Sequence, residues 1–207
     1  MKKTFLAAAA LAMTMAAVAP APASAAPTST LADILLSDSA GDDINGFDRN
    51  WNDHDIVTQA VLLFPDLTAA VSDPSASLTA FLPTDAAFRL LVENLTNTWS
   101  KTEQGAFAAV ASLGTDTVKN VLLYHLLGAK VGVDAVLMSN GVRVPTLLTD
   151  TSFKINLRHG AVKLIDNDPD AKNPAVIAPN LGGEASNGFA HGISRVLRPV
   201  NLADQPY

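Results

Sequence analysis

The stretch at residues 78–88 most constrains the fold, because an apolar run, a proline and a helix start follow one another without a linker. Pro83 has no N–H to donate and a fixed φ, so it predicts the end of a strand ladder. Thr84 is a good N-cap, and Asp85 places a negative charge at the positive end of the following helix. Phe88 and later apolar residues recur at helical spacing. A strand and a helix must therefore share one core here.

The hydrophobic period changes along the chain. Helical spacing predicts short helices after Thr30 and near residue 56, where Asp53 or Asp55 is the expected cap. Ser100 and Glu103 match a capping box for a further helix, and another is predicted from residue 115 to Gly128.

From residue 130 the period becomes two. Val131 and Val133 predict a strand, Asn140-Gly141 a turn, and residues 153–165 a hairpin that turns at residues 158–160. The last strand is predicted to begin near residue 189. Helices lead and strands follow, so the sequence predicts a single α+β domain.

The first 25 residues have the order of an export signal. Two lysines precede an apolar run at residues 5–18, and Ala23-Ser24-Ala25 fits the small-x-small cleavage rule. We therefore expect a secreted protein that is cleaved after Ala25, and we expect no integral membrane segment in the mature chain.

Charge and cysteine content exclude several classes of function. Loss of the two N-terminal lysines leaves 12 of the 14 basic residues against 20 acidic ones, a net charge of −8. That balance argues against nucleic acid and anionic membranes as partners. The sequence has no cysteine, so a disulfide, a thiolate metal site and a cysteine nucleophile are excluded.

Three separated segments resemble the fasciclin domain family when they are taken in order. In the first segment the matching residues are Thr79, Phe81, Pro83, Thr84, Asp85 and Phe88, whereas Leu82 stands where the family usually has Ala. The second contains Tyr124 and His125. In the third they are Asn187, Gly188, His191, Ile193, Val196, Leu197 and Pro199, whereas Ser194 replaces the usual Asp. The resemblance predicts a domain over residues 56–200, an N-terminal extension at 26–55 and a tail at 201–207.

The resemblance implies a wedge of β-strands with helices packed on one side, and a non-enzymatic role in adhesion or matrix association. Tyr124 and His125 match a family motif that is linked to receptor binding in animal members, which makes them candidate binding residues. A bacterial-style signal peptide argues against an animal receptor, so the expected partner is an extracellular protein or glycan of the cell envelope. No cofactor is implied. An extracellular carrier of an apolar pigment or lipid and a structural spacer of the envelope are the alternatives.

Each histidine has a structural and a functional interpretation. For His125 and His191 a packed, hydrogen-bonded role is favoured, because buried polar groups normally have partners. His159 falls in the hairpin turn and is predicted to be solvated. His54 lies between Asp53 and Asp55, where it could ligate a metal or belong to a helix cap.

Two acidic loops and one aromatic loop are further candidates. Residues 42–46 and 166–170 could hold calcium, although neither fits an EF-hand and a solvated turn is favoured for both. Phe47 and Trp51 either anchor the loop at residues 38–55 to the core or form a binding patch. The sequence has no Gly-x-Ser-x-Gly elbow and no His-Glu-x-x-His motif, and we therefore expect no catalytic site.

Overall fold

The computed structural model describes residues 27–39 and 46–202. The predicted export signal, its cleavage site and most of the acidic loop at 42–46 lie outside these residues. Within them, no single helix is long and apolar enough to cross a membrane. The second and third helices pass that test only as a pair bent by 112°.

Seven helices are described. They are α1 (Leu31–Asp38), α2 (Asp55–Leu62), α3 (Pro65–Ser72), α4 (Asp85–Thr96), α5 (Glu103–Ala111), α6 (Thr115–Tyr124) and α7 (Val133–Met138). Eight strands accompany them in the same residues. They are β1 (Leu78–Pro83), β2 (Leu126–Leu127), β3 (Arg143–Pro145), β4 (Ser152–Arg158), β5 (Ala161–Ile165), β6 (Val176–Ala178), β7 (Glu184–Ala185) and β8 (Gly188–Ile193).

The strand-to-helix prediction at residues 78–88 is confirmed. Every residue of β1 is buried, and the strand ends at Pro83. Thr84 is the N-cap of α4, because its Oγ1 accepts a hydrogen bond from the N–H of Ala87 at 3.3 Å. Asn97 ends this helix in the left-handed conformation, with φ 55°, and its N–H donates to Glu93. The local signals therefore set both helix ends.

The larger sheet places the first and third family segments side by side. It has the strand order β2-β1-β8-β6, and β7 also pairs with β8. β1 and β8 are parallel, with Leu78 opposite Gly188 and Pro83 opposite Ile193. Gly188 has a φ of 157°, and a Cβ at this position would overlap the carbonyl oxygen of Leu78. The close approach of these two strands therefore requires glycine.

The smaller sheet is an antiparallel meander of β3, β4 and β5. Arg158 pairs with Ala161, so His159 and Gly160 form a two-residue turn, and both have a positive φ, 51° and 78°. This is the geometry of a tight hairpin turn, and it confirms the predicted hairpin.

Two apolar clusters hold the layers together. The larger one joins the helices to one face of the larger sheet and includes Phe88 and Val196. The smaller one fills the space between the two sheets and contains Phe81, Tyr124 and Ile193 together with Leu197. Helices and strands thus form the expected α+β architecture. α1 also belongs to the larger cluster, although it lies in the predicted extension.

Several predicted element boundaries are wrong. Thr102, rather than Ser100, is the N-cap of α5, because its Oγ1 accepts from the N–H of Gly105 at 3.1 Å. The Ser100 hydroxyl instead donates to the carbonyl of Thr102. α6 ends at Tyr124, before Gly128, because His125 is its C-cap and Leu126 and Leu127 then pair with β1 as strand β2.

The predicted strand at Val131 and Val133 is also wrong. Val131 donates its N–H to the Thr79 Oγ1 at 2.8 Å, and Val133 begins helix α7. The side chain of Asn180 accepts from the N–H of Val133 at 3.1 Å, which satisfies a free donor at the start of this helix. Long-range contacts therefore override the local β propensity of the valines.

Candidate functional site

His125 is a structural link between α6 and the end of the domain. Its side chain is 4% exposed and follows the last residue of α6. Nδ1 lies 2.7 Å from the carbonyl oxygen of Val121, and Nε2 accepts from the N–H of Leu197 at 2.9 Å. One nitrogen must donate and the other accept, so the imidazole is neutral. Burial lowers the pKa of His125 to about 4, although the Val121 carbonyl opposes the shift.

His191 has the same kind of role in β8. Its Nε2 lies 2.8 Å from the carbonyl oxygen of Val131, and its Nδ1 accepts from the N–H of Asn180 at 3.1 Å. Burial lowers the pKa of His191. Both histidines are therefore placed as the hydrogen-bonded interpretation expects.

Tyr124 points into the space between the two sheets. Its side chain is fully buried, its ring meets Phe153 edge-on at 6.0 Å, and its hydroxyl donates to the carbonyl of Ser152 at 3.1 Å. Burial raises the pKa of Tyr124. The candidate binding pair Tyr124 and His125 therefore has no exposed surface for a partner, and any effect on binding would pass through the fold.

Asn187 explains the start of the third family segment. Its Oδ1 accepts from the N–H of Leu31 at 2.9 Å, and its Nδ2 donates to the carbonyls of Val71 and Asp73 at 2.8 and 3.1 Å. The side chain is fully buried and ties α1 and the end of α3 to the sheet. This residue is a structural hub, because it satisfies three backbone groups at once.

Phe47 and Trp51 act as anchors for the segment that precedes α2. Phe47 is 9% exposed and its ring lies 5.7 Å from that of Phe107. Trp51 is half-buried, and the guanidinium of Arg89 lies over its ring at 4.3 Å and over that of Trp99 at 4.1 Å. The binding-patch interpretation is therefore disfavoured for Phe47, whose side chain is buried, whereas Trp51 keeps part of its side chain exposed.

The start of α2 differs from the expected cap. His54, rather than either neighbouring aspartate, occupies the N-cap position, and its side chain makes no capping hydrogen bond. Its Nδ1 instead lies 2.7 Å from Oδ2 of Asp38. The N–H of Ile56 is satisfied by the carboxylate of Asp85 at 2.9 Å, which reaches across from α4. Asp85 therefore lies in the first turn of α4 and also accepts a hydrogen bond from the first turn of α2.

The acidic loop at residues 166–170 uses its carboxylates internally. Asp168 is buried and forms a salt bridge to Arg198 at 3.1 Å, and its Oδ1 also accepts from two loop N–H groups. Asp166 accepts from the N–H of Arg198 at 2.9 Å, while burial raises the pKa of Asp166 to about 6. These bonds leave no set of free carboxylates, and the calcium interpretation of this loop is disfavoured.

The outward face of the smaller sheet is basic. We call it the basic face, and its cations are Arg143, Lys154, Arg158 and Lys163. Strand register puts Arg143 opposite Lys154, while the alternate residues of β4 and β5 point into the core. The remaining outward residues of the three strands are uncharged, so this face has cations and no carboxylate.

A groove runs along one side of the basic face. It has a volume of about 610 Å³ and includes Arg158, Lys163 and Lys172 in its lining. The alternation of apolar and basic residues at 153–158 was the sequence signal for this face. The basic residues form one continuous face only because three strands pair side by side. The alternation within one strand does not reveal that pairing.

The space between the helices and the larger sheet offers little room for an apolar ligand. A cavity between the helices and the larger sheet is lined by apolar residues and His125, and its volume is about 20 Å³. That volume suits a single water molecule. A pigment or lipid does not fit there, so this cavity does not support the carrier alternative.

Comparison with known proteins agrees with this architecture. The sequence pattern of the Fasciclin domain matches residues 56–199. Fasciclin-1 of Schistocerca americana is 27% identical over 124 residues, which cover 58% of this chain and 16% of that protein. The structure of a FAS1 domain pair from the insect cell adhesion molecule Fasciclin I superposes with a TM-score of 0.59 at 18% identity, covering 83% of this chain and 51% of the other. The chain thus spans a small part of one relative and about half of the other. Because the family pattern covers most of the chain, the protein belongs to the fasciclin domain family, an adhesion-type domain.

Proposed function

We propose that the chain is a secreted, non-enzymatic adhesion domain that binds an anionic glycan of the cell envelope through the basic face. The observation that supports this proposal is the concentration of four cations on one sheet face of an acidic protein. An adhesion domain needs an exposed recognition surface. The family residues Tyr124 and His125 are buried and do not offer one.

The cations of this face are available to a partner. Within the described parts of the chain, Arg143, Lys154, Arg158 and Lys163 form no salt bridge. Arg143 is oriented by bonds from its guanidinium to Ser152 and Asn167, while its charge stays uncompensated. An oriented arginine beside lysines suits carboxylate, sulfate or phosphate groups.

The charge outside the basic face limits the class of partner. The chain without its predicted signal has a net charge of −8, so a long and densely charged polymer such as nucleic acid would meet repulsion beyond this face. A glycan with spaced anionic groups can contact the basic face alone. An acidic protein surface is the competing partner, which a direct binding assay separates from a glycan.

The test compares two variants that lose the same charge. Arg158→Gln with Lys163→Gln changes the basic face, and Lys101→Gln with Lys119→Gln removes two cations elsewhere. Lys119 forms a surface salt bridge to Asp66 and lies 5.9 Å from the centre of the Phe64 ring, and such exposed contacts contribute little, so the control should fold normally. Binding of the mature chain to purified anionic envelope glycan should fall about tenfold in the first variant, or 1.4 kcal/mol.

The control should bind almost as well as the wild type, and wild-type affinity should fall steeply with salt. Equal loss in both variants would indicate general charge attraction, and unchanged binding in both would exclude the basic face. Binding to a protein fraction but not to protein-free glycan would contradict the choice of a glycan.

Secretion needs a separate experiment. The lysines at positions 2 and 3, the apolar run and the Ala23-Ser24-Ala25 sequence support export with cleavage after Ala25. Intact-mass measurement of protein collected from the culture medium should give a chain that begins at Ala26. Secreted protein that still contains Met1 would contradict this part of the proposal.

A further inference from the structure

Four buried carboxylates meet where three helices begin. Asp53 and Asp55 lie at the start of α2, Asp85 in the first turn of α4, and Glu103 in the first turn of α5. Their exposed fractions are 7%, 0%, 0% and 1%. We call these four residues the carboxylate pocket. Carboxylate oxygens of Asp55, Asp85 and Glu103 all lie within 4.8 Å of one another, and Asp48 at the rim forms a second such group with Asp53 and Asp55.

Glu103 gives an independent indication of a ligand. It reaches the pocket from a helix that contributes none of the other carboxylates, and its Oε2 accepts from the N–H of Arg49 at 2.8 Å. Its Oε1 is buried and has no hydrogen-bond partner. Oδ2 of Asp85 also receives no N–H or hydroxyl donor and faces the Asp53 carboxyl. Buried oxygens of this kind normally have a donor or a cation.

Three of the four pocket carboxylates have no ion-pair partner in the described parts of the chain. None of Asp53, Asp85 and Glu103 forms a salt bridge within residues 27–39 and 46–202. Isolated buried carboxylates are costly unless they are protonated or paired. The charge must therefore be removed by protons or compensated by a cation.

The donor set selects the kind of cation. Every candidate ligand atom is a carboxylate oxygen, and hard cations such as Ca²⁺ and Mg²⁺ prefer such atoms. Ca²⁺ binds oxygens at about 2.3–2.6 Å, so atoms within 4.8 Å of one another can all contact one ion. Opposite ligands of Mg²⁺ are only about 4.2 Å apart, and that ion usually retains several waters.

We propose that the carboxylate pocket binds one Ca²⁺ ion, which joins the starts of α2, α4 and α5. The exposed Asp48 at the rim gives the ion a path from solvent. This site is distinct from the basic face, and its loss would leave that face in place. Its role is structural, because the ion would fix three helix starts and the segment that contains Trp51.

The experiment uses the mature chain, freed of metal with a chelator and then titrated with Ca²⁺. Calorimetry should show about one bound ion per chain, and Ca²⁺ should raise the Tm by several degrees. Mg²⁺ at the same concentration should have a much smaller effect. The absence of binding heat and of any shift in Tm would overturn the proposal in favour of protonated carboxyls, and an equal effect of Mg²⁺ would overturn the assignment to Ca²⁺.

Two conservative variants locate the site. Glu103→Gln keeps the size of the side chain and its acceptor for Arg49, and Glu93→Gln is a matched control on the exposed surface. Glu103→Gln should weaken Ca²⁺ binding at least tenfold without lowering the Tm of the metal-free protein. Asp85→Asn, which keeps an acceptor for Ile56, is a second test if the first variant folds poorly. Undiminished Ca²⁺ binding in these pocket variants would place the ion elsewhere and overturn the proposal.

Discussion

Acidification should destabilise the protein through His125. Both ring nitrogens of this residue are used by backbone groups, and protonation would turn the acceptor for Leu197 into a donor that faces another donor. Burial accordingly lowers the pKa of the imidazole to about 4, from a usual value of 6.5. The unfolded chain therefore binds a proton at a higher pH than the folded one, so stability falls as the pH decreases between these two values.

The size of the effect follows from the difference in pKa. Above pH 6.5 both states are mainly neutral and His125 contributes no pH dependence. At pH 4.5 the unfolded imidazole is almost fully protonated while the folded one is still mainly neutral, which lowers the free energy of unfolding by about 2.5 kcal/mol. The loss levels off below pH 4, where the folded state is protonated as well.

Other groups oppose this change and must be separated from it. The raised pKa of Asp166, about 6, has the opposite sign, because the folded chain then binds the extra proton and gains stability as the pH falls from 6 towards 3.8. The lowered pKa of His191 acts in the same direction as that of His125, so the total curve combines contributions of both signs. The difference in the free energy of unfolding between the wild type and a variant without this imidazole removes the contributions that both proteins share.

The assay is urea unfolding of the wild type and His125→Gln at pH 7.5 and pH 4.5. At pH 7.5 the variant should be about 1–3 kcal/mol less stable, because two buried backbone groups lose their partner. At pH 4.5 this gap should shrink by about 2.5 kcal/mol. His159→Asn removes an imidazole from an exposed turn and is the control. A gap of the same size at both pH values would refute the reasoning.

Three substitutions test the structural residues of the family motifs by urea unfolding at pH 7.5. Phe81→Ala should cost about 3–5 kcal/mol, because this fully buried ring packs edge-on against Phe153 at 5.3 Å, and an unchanged midpoint would contradict its core position. Asn187→Ala should cost about 3 kcal/mol or more, since three buried backbone groups lose their partners, and a cost below 1 kcal/mol would mean that water replaces the amide. Gly188→Ala should cost at least about 3 kcal/mol through the clash with Leu78, and a stable variant would show that β1 and β8 can separate.

Local signals predicted the elements whose ends are set by nearby residues. Thr84 satisfies a donor three residues away, and the turn at His159 and Gly160 joins neighbouring strands, so both could be derived from short stretches of sequence. Val131 and Val133 show the limit of this reasoning. Their backbone N–H groups bind the side chains of Thr79 and Asn180, at sequence separations of 52 and 47 residues, and those contacts replace the predicted strand.

The pairing of distant segments could not be derived from composition or period. Asn187 binds Leu31 across 156 residues, and β1 lies parallel to β8 although about 100 residues separate them in the chain. The family resemblance indicated that these segments matter, but a motif alone does not state which backbone groups an amide satisfies. The hub role of Asn187 became visible only when its three partners were placed around it.

The two candidate sites differ in how visible they are in the sequence. The basic residues of β4 alternate with buried ones, so their common face follows from the strand period. Asp55, Asp85 and Glu103 instead come from three separate helix starts, and each alone is an ordinary first-turn acid. Their meeting depends on how α2, α4 and α5 pack, which no local pattern specifies.

This burial changes the meaning of the net charge. The formal value of −8 counts every carboxylate equally, and it argued against nucleic acid and anionic membranes as partners. Four of those carboxylates lie in the carboxylate pocket and are buried, so exposed side chains do not carry this part of the formal charge. A bound Ca²⁺ ion cancels two of the formal charges, and protons can cancel more. The surface is therefore less acidic than the composition indicates, and an anionic glycan can approach the basic face against less repulsion than the sequence alone implies.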